Sequence, residues 1–174
     1  MMIIGVIGAG TMGNGIAEAA AAVAQVVLVD LDKDRADTGL QAIKKRLNRQ
    51  VEKQSMAPAA RDEILNRIQT SEDLQDLEDA DLVVEAASET LEVKKELFAR
   101  LGGICAQQCI LGTNTSALSV TAIAAATSEP QRVVGIHFFN PVSRMKLVEL
   151  VRTPFTSQEC LDKSKAFVES LDKT

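Results

Sequence analysis

His137 is the only histidine in the 174 residues, and it stands in the stretch GIHFFNPVSRMKLVELV that begins at Gly135. A lone imidazole can take or give a proton near neutral pH, which few other side chains do. Further along the same stretch, Glu149 sits between Val148 and Leu150 in an apolar run. A carboxylate in such a place needs a partner if it is buried. A turn through Asn140-Pro141 would fold the two segments together, so that the carboxylate fixes the imidazole tautomer and stabilises the imidazolium. That pair suits oxidation of a secondary alcohol, whose hydroxyl proton must be taken as hydride leaves. A packed core histidine beside a solvated edge glutamate fits these residues equally well.

The stretch IGVIGAGTMGNGIA offers a place for the hydride acceptor. Gly8-x-Gly10-x-x-Gly13 lies between an apolar run and an alanine-rich segment. Gly8 would allow a tight turn, Gly10 would let a pyrophosphate approach the backbone, and Gly13 would let helix and strand pack closely. The following helix N-terminus would turn free N–H groups and a positive dipole end toward phosphates. Gly8, Gly10, Thr11, Met12 and Gly13 are therefore the expected cofactor loop. A GxGxxG alone is weak, but here a second apolar run ends in Asp30, where a ribose-binding carboxylate belongs. Such a carboxylate accepts both ribose hydroxyls of NAD and repels the 2′-phosphate of NADP. Lys33 and Arg35, close by in sequence, would soften that preference. A tight strand–helix turn with an incidental aspartate is the alternative.

Elements of two kinds must position these groups. Nearly all-apolar runs at 2–8, 26–29, 80–87, 109–113, 132–139 and 145–152 read as strands. Helical spacing predicts helices over 11–24, 34–54, 90–101, 119–126 and 156–171. A shorter helix restarts at Pro58 and takes in Ile64, Leu65 and Ile68. The last helix would open on a capping box, Thr156-Ser157-Gln158-Glu159. Apolar strands alternating with helices predict an α/β fold: a Rossmann-type, doubly wound, mostly parallel sheet covered on both faces. The strand near 145–152 would run antiparallel beside the histidine strand.

Composition narrows the function classes. Hydrophobic residues make up 46% and charged residues 25%, ordinary for one globular domain spanning 1–174. The net charge of −5 and pI near 5.0 argue against a nucleic-acid or anionic-membrane surface. No apolar stretch reaches transmembrane length, and the start, MMIIGVIGAG, carries no basic leader. Three cysteines, at 105, 109 and 160, fit a reducing cytoplasm. Cys105 and Cys109 have too few companions for a tetrahedral metal site, so no metal is expected.

Four stretches, GVIGAGTMGNGIA, DLVVEAASETLEVKKELF, TNTSALSV and HFFNPVSRMKLVELV, occur in an order and spacing that resemble one family along nearly the whole chain. This is the family of short-chain L-3-hydroxyacyl-CoA dehydrogenases, including bacterial 3-hydroxybutyryl-CoA dehydrogenases. The resemblance implies NAD-dependent oxidation of L-3-hydroxyacyl-CoA to 3-ketoacyl-CoA, and the reverse, in fatty-acid metabolism. It implies that His137 is the catalytic base and Glu149 its carboxylate partner. Ser116 would contact substrate and nicotinamide, Asn140 would lie near the nicotinamide, and Glu89 and Lys94 would line the cofactor pocket. Lys53 and Arg46 would contact coenzyme A, although serine is the commoner family residue at 46. Two more departures are Ala24, where a glycine usually closes the first helix, and Ser143-Arg144 in place of a more apolar pair. Family enzymes continue into an all-helical domain that supplies an asparagine, closes over substrate and makes most of a homodimer interface. The 174 residues lack that domain, so they are expected to bind NAD but turn over poorly. Two other readings remain: a catalytically weak NAD or acyl-CoA binding module, as in a lens crystallin resembling this family, and a β-hydroxyacid dehydrogenase of the 6-phosphogluconate type. The latter lacks HFFNP.

Overall fold

In the computed structural model, which describes residues 1–174, the apolar run Ile3–Ile7 is β1 and lies mid-sheet. Successive side chains of a strand point to opposite faces. Ile4 and Val6 accordingly enter one core cluster and Ile7 the other. Val26 and Leu28 against Val27 and Val29 repeat the division in β2 (Gln25–Val29). The other elements are α1 (Thr11–Ala21), α2 (Lys33–Glu52), α3 (Pro58–Asn66), β3 (Ile68–Ser71), β4 (Leu82–Glu85) and α4 (Leu91–Ile104). They are followed by β5 (Ile110–Thr113), α5 (Val120–Ala124), β6 (Val133–Phe138), β7 (Val148–Val151) and α6 (Gln158–Ser170).

The seven strands lie in the order β3-β2-β1-β4-β5-β6-β7. All pairings are parallel except β6 with β7. The expected doubly wound sheet is therefore present, with its antiparallel strand at one edge. The chain leaves β1 toward one edge and returns to β4 on the other side of it. The carboxyl ends of β1 and β4 thus flank the crevice where open α/β sheets bind ligands. Ile16, Ile43 and Phe167 bring α1, α2 and α6 onto one face; Phe98, Leu101 and Ile123 bring α4 and α5 onto the other. Phe98 is fully buried. Phe98→Ala should therefore cost about 3–5 kcal/mol, read from the shift of the urea unfolding midpoint.

Several boundaries differ from the sequence reading. Ile68 does not close the helix that starts at Pro58; it opens β3, an edge strand parallel to β2. Only two of the four β3 residues are buried, so the segment IQTS carried no apolar signal. The antiparallel strand begins at Val148 rather than 145, because Met145 turns back through its N–H onto the Pro141 carbonyl. Thr174 then pairs with Lys146 and Val148. α1 ends at Ala21 with Ala22 in right-handed geometry, so no left-handed residue, and hence no glycine, is demanded near Ala24. α4 continues past 101 to Ile104, and β4 is shorter than 80–87. Ser157, not Thr156, caps α6, accepting the Cys160 N–H at 3.1 Å. The Thr156 hydroxyl instead donates to the Val133 carbonyl at 2.8 Å, tying the loop before α6 to β6.

Candidate functional site

The glycine loop joins β1 to α1 at the crevice. Gly8 has φ +92°, a left-handed conformation, and a Cβ there would come 2.6 Å from the Ala86 carbonyl oxygen. At Gly13 a Cβ would fall 1.6 Å from the Gly8 carbonyl oxygen. Gly10 is different: a Cβ there would meet nothing within 4 Å. Packing inside the chain requires the first two glycines, while Gly10 leaves open space for a ligand at the backbone. It also begins α1, whose N-terminus has no side-chain cap and no acidic residue in its first turn. That end keeps its positive potential free for an anion. These residues fit a dinucleotide pyrophosphate.

Two clefts flank the loop. One, of about 350 Å³, is lined by Gly8, Asp30, Leu31, Leu74, Val93 and Leu97. Its apolar wall, with Asp30 beside the glycine loop and Glu72, Glu96 and Arg100 also in the lining, suits an adenosine. Asp30 is already oriented: its Oδ2 accepts the Ala9 N–H at 2.6 Å and its Oδ1 the Leu31 N–H at 2.7 Å. Carboxylate oxygens have further lone pairs for ribose hydroxyls. Lys33 and Arg35 do not reach Asp30. Lys33 binds the Thr70 carbonyl at 2.7 Å and Asp37 at 3.2 Å, and Arg35 pairs with Asp32 at 3.2 Å. Both cations are held by other acids instead.

The second cleft, of about 330 Å³, gathers Met12, Glu89, Lys94, Ser116, His137 and Asn140. His137 and Glu149 face each other directly across the β6–β7 pairing. Nδ1 lies 2.9 Å from Glu149 Oε2. An ionised carboxylate only accepts hydrogen bonds, so Nδ1 carries the proton and Nε2 of the neutral ring keeps its lone pair. The imidazole is 17% exposed and the carboxylate 53%. Glu149 thus lies half-exposed on the outer edge strand, wetted on one side. Phe139 covers the imidazole at 4.5 Å between ring centres, tilted by 51°. Its neighbour Phe138 is core, and Asn114 accepts the Phe138 N–H at 2.8 Å, pinning the β6 end to the loop that carries Ser116. The Asn140-Pro141 bond is cis.

Beneath this cleft lies a charged network that the sequence reading only half found. Lys94 is 1% exposed and pairs with Glu85 at 2.5 Å and Glu89 at 3.3 Å. Glu89 accepts from the Thr115 hydroxyl and, at 3.1 Å, from the Ser116 N–H. Burial pushes the Glu89 carboxyl up, but Thr115, Lys94 and the Ser116 amide together outweigh it and hold it below the usual carboxylate range. Its hydrogen bonds therefore persist at neutral pH and are lost only as pH falls through that lowered value. Glu85 escaped notice although a charged residue ending the run LVV is a visible signal.

Two expected coenzyme A contacts are not in these clefts. Arg46 is engaged by Glu18, with Nε and Nη2 each 2.7 Å from Oε2. Lys53 is exposed at the far end of α2. The arrangement does not assemble Arg46 into the site, because the long guanidinium ties α2 to α1. Cys105, Cys109 and Cys160 are free and buried. Burial raises the Cys160 thiol to about 11.

The 3-hydroxyacyl-CoA dehydrogenase NAD-binding domain family matches residues 3–174. A 3-hydroxybutyryl-CoA dehydrogenase of Bradyrhizobium diazoefficiens is 46% identical over 171 residues, covering 98% of this chain and 58% of the relative. A mitochondrial hydroxyacyl-coenzyme A dehydrogenase of Sus scrofa is also 46% identical, over 97% of this chain and 56% of its own length. The chain therefore spans less than two thirds of either relative. The crystal structure of a 3-hydroxybutyryl-CoA dehydrogenase from Escherichia coli K12 superposes with a TM-score of 0.97 at 43% identity, covering 99% of this chain and 37% of that one. No helix here is long and apolar enough to cross a membrane. With its glycine loop, oriented aspartate and histidine cleft, the chain belongs to the 3-hydroxyacyl-CoA dehydrogenase family, in the NAD-binding domain of that family.

Proposed function

We propose that these residues form the cofactor-binding and proton-transferring part of an enzyme that interconverts L-3-hydroxyacyl-CoA and 3-ketoacyl-CoA. The observation that carries this reading is the His137–Glu149 pair at 2.9 Å in a cleft beside the glycine loop. When bound, NAD accepts the hydride lost by the hydroxyl-bearing carbon. His137 Nε2 takes the hydroxyl proton as that carbon becomes a ketone, and Glu149 stabilises the resulting imidazolium. In reduction His137 returns the proton. Ser116 and Asn140, in the same cleft, hold substrate and nicotinamide in place. Thr11 and Met12 present the α1 N-terminus, and Asp30 holds the adenosine ribose.

The whole enzyme would continue beyond residue 174 into a helical domain, close over an acyl-CoA and pair as a homodimer there, with Lys53 reaching coenzyme A. Met145, Leu147, Val151 and Phe155, all exposed around the β7 edge, support such a cover. Free thiols suit a cytoplasmic setting.

The test is oxidation of NADH or NADPH with acetoacetyl-CoA, using the 174 residues continued by the unmatched remainder of the Bradyrhizobium relative. Turnover should prefer NADH. Asp30→Ser should weaken NADH binding and narrow the gap to NADPH, because the carboxylate that repels a 2′-phosphate is gone. Better use of NADPH than NADH by the unmutated protein would contradict the role given to Asp30. No ketone reduction at all would leave a binding module instead.

A further inference from the structure

We propose that Glu85 is a positioning residue for the nicotinamide end of the site, acting through Lys94 and Glu89 on the Ser116 loop. The proposal rests on the dehydrogenase reading and names a residue that reading does not use. Glu85 ends β4 beside Ile7 and Thr113, the last residues of the flanking strands. It is completely buried. Oε1 accepts the Ala87 N–H at 2.7 Å and Lys94 at 2.5 Å, and Oε2 accepts the Thr113 hydroxyl at 2.7 Å. A carboxylate so occupied does not touch a ligand in the cleft.

Its partner is in an unfavourable place. Lys94 lies in the first turn of α4, at the positive end of the helix, and is almost wholly buried. A cation there suffers from both the dipole and the loss of water. An apolar pair in place of Lys94 and Glu85 would serve the fold at least as well, since buried ion pairs often stabilise no more than apolar packing of similar volume. The network instead delivers geometry. Lys94 holds one oxygen of Glu89, and the other oxygen receives the Thr115 hydroxyl and the Ser116 N–H. The chain of contacts therefore runs from the centre of the sheet to the amide of Ser116, which lines the same cleft as His137. Glu89 alone is half-exposed and would otherwise be free to turn toward water.

Three measurements on the 174-residue protein test this. In Glu85→Gln, NADH should bind about tenfold more weakly, equivalent to about 1.4 kcal/mol. ADP-ribose, which lacks the nicotinamide, should bind unchanged. Amide hydrogen exchange at Ser116 should quicken, while Val83 in the sheet keeps its protection. Equal weakening of both ligands, or uniform loss of amide protection, would show a merely structural role and overturn the proposal; so would no change in any of them. If Glu85→Gln does not fold, Glu85→Gln with Lys94→Met removes both buried charges. Ser116 exchange must still quicken there, and restored protection would overturn the relay. An unmutated chain that bound neither ligand would refute the dehydrogenase reading rather than the relay.

Discussion

His137→Ala, in the 174 residues continued by a relative's remainder, should lower turnover about 10²–10⁴-fold, the range for a lost general base. The argument is geometric. Glu149 holds the Nδ1 proton at 2.9 Å, which leaves Nε2 as the one free base on the ring. Alanine removes that base, and Glu149, which does not line the cleft, cannot take its place. NADH affinity should change little, because the glycine loop and Asp30 make no contact with His137. Glu149→Gln should keep the fold, since the side chain is 53% exposed and an amide oxygen can still accept the Nδ1 proton. Its cost falls on the charged state. Without the carboxylate the imidazolium formed in oxidation loses its countercharge, so turnover should fall while NADH binding is kept. Stopped-flow turnover against pH, with NADH binding measured alongside, checks both variants. Unchanged turnover in His137→Ala would remove the base from the mechanism.

The residues that could be read from sequence are those whose type and neighbours are both unusual. Gly8 and Gly13 were legible because two backbone segments approach within contact there, and only glycine permits it. The residues alone leave the His137–Glu149 pair and a packed histidine with a solvated glutamate equally open, and the family stretch HFFNPVSRMKLVELV favours the pair. Edge and network features were not. β3 hid in IQTS because an edge strand buries only part of one face. Arg46 is placed near coenzyme A only by the family resemblance, and its pairing with Glu18 is set by how α1 packs on α2. The burial of Glu18 raises its carboxyl, partly offset by Arg46, and no linear spacing exposes that balance. Glu85 accepts from Thr113, 28 positions away on the neighbouring strand, and Asn114 accepts from Phe138, 24 positions away. Their partners become neighbours only once β4, β5 and β6 are aligned.

The 174 residues alone should bind NADH yet reduce acetoacetyl-CoA at least about 10²-fold more slowly than the same residues continued by a relative's remainder. Everything assigned to the cofactor lies between Gly8 and Asn140, and the loop glycines, Asp30 and the Glu85 network are held by contacts within this one sheet. Binding should therefore survive. Turnover needs more. The ketone must sit within reach of both Nε2 and the nicotinamide, and a misplacement of about 1 Å can cost about 10²-fold. Here one side of the imidazole is covered by Phe139, while the cleft in front of it and the edge of β7 stay open. Water in that space solvates the imidazolium and the substrate oxygen alike, weakening the charge interactions on which proton transfer depends. Met145, Leu147, Val151 and Phe155 mark the uncovered side. Their combined exposure should also draw copies of the 174 residues together, with apparent mass that keeps rising with concentration, whereas the continued chain should stop at a dimer. Calorimetry with NADH, sedimentation at several concentrations and a turnover assay on one preparation examine the three parts. Equal turnover by the two proteins would mean that the sheet alone completes the active site, and the exposed apolar edge would then need a different explanation.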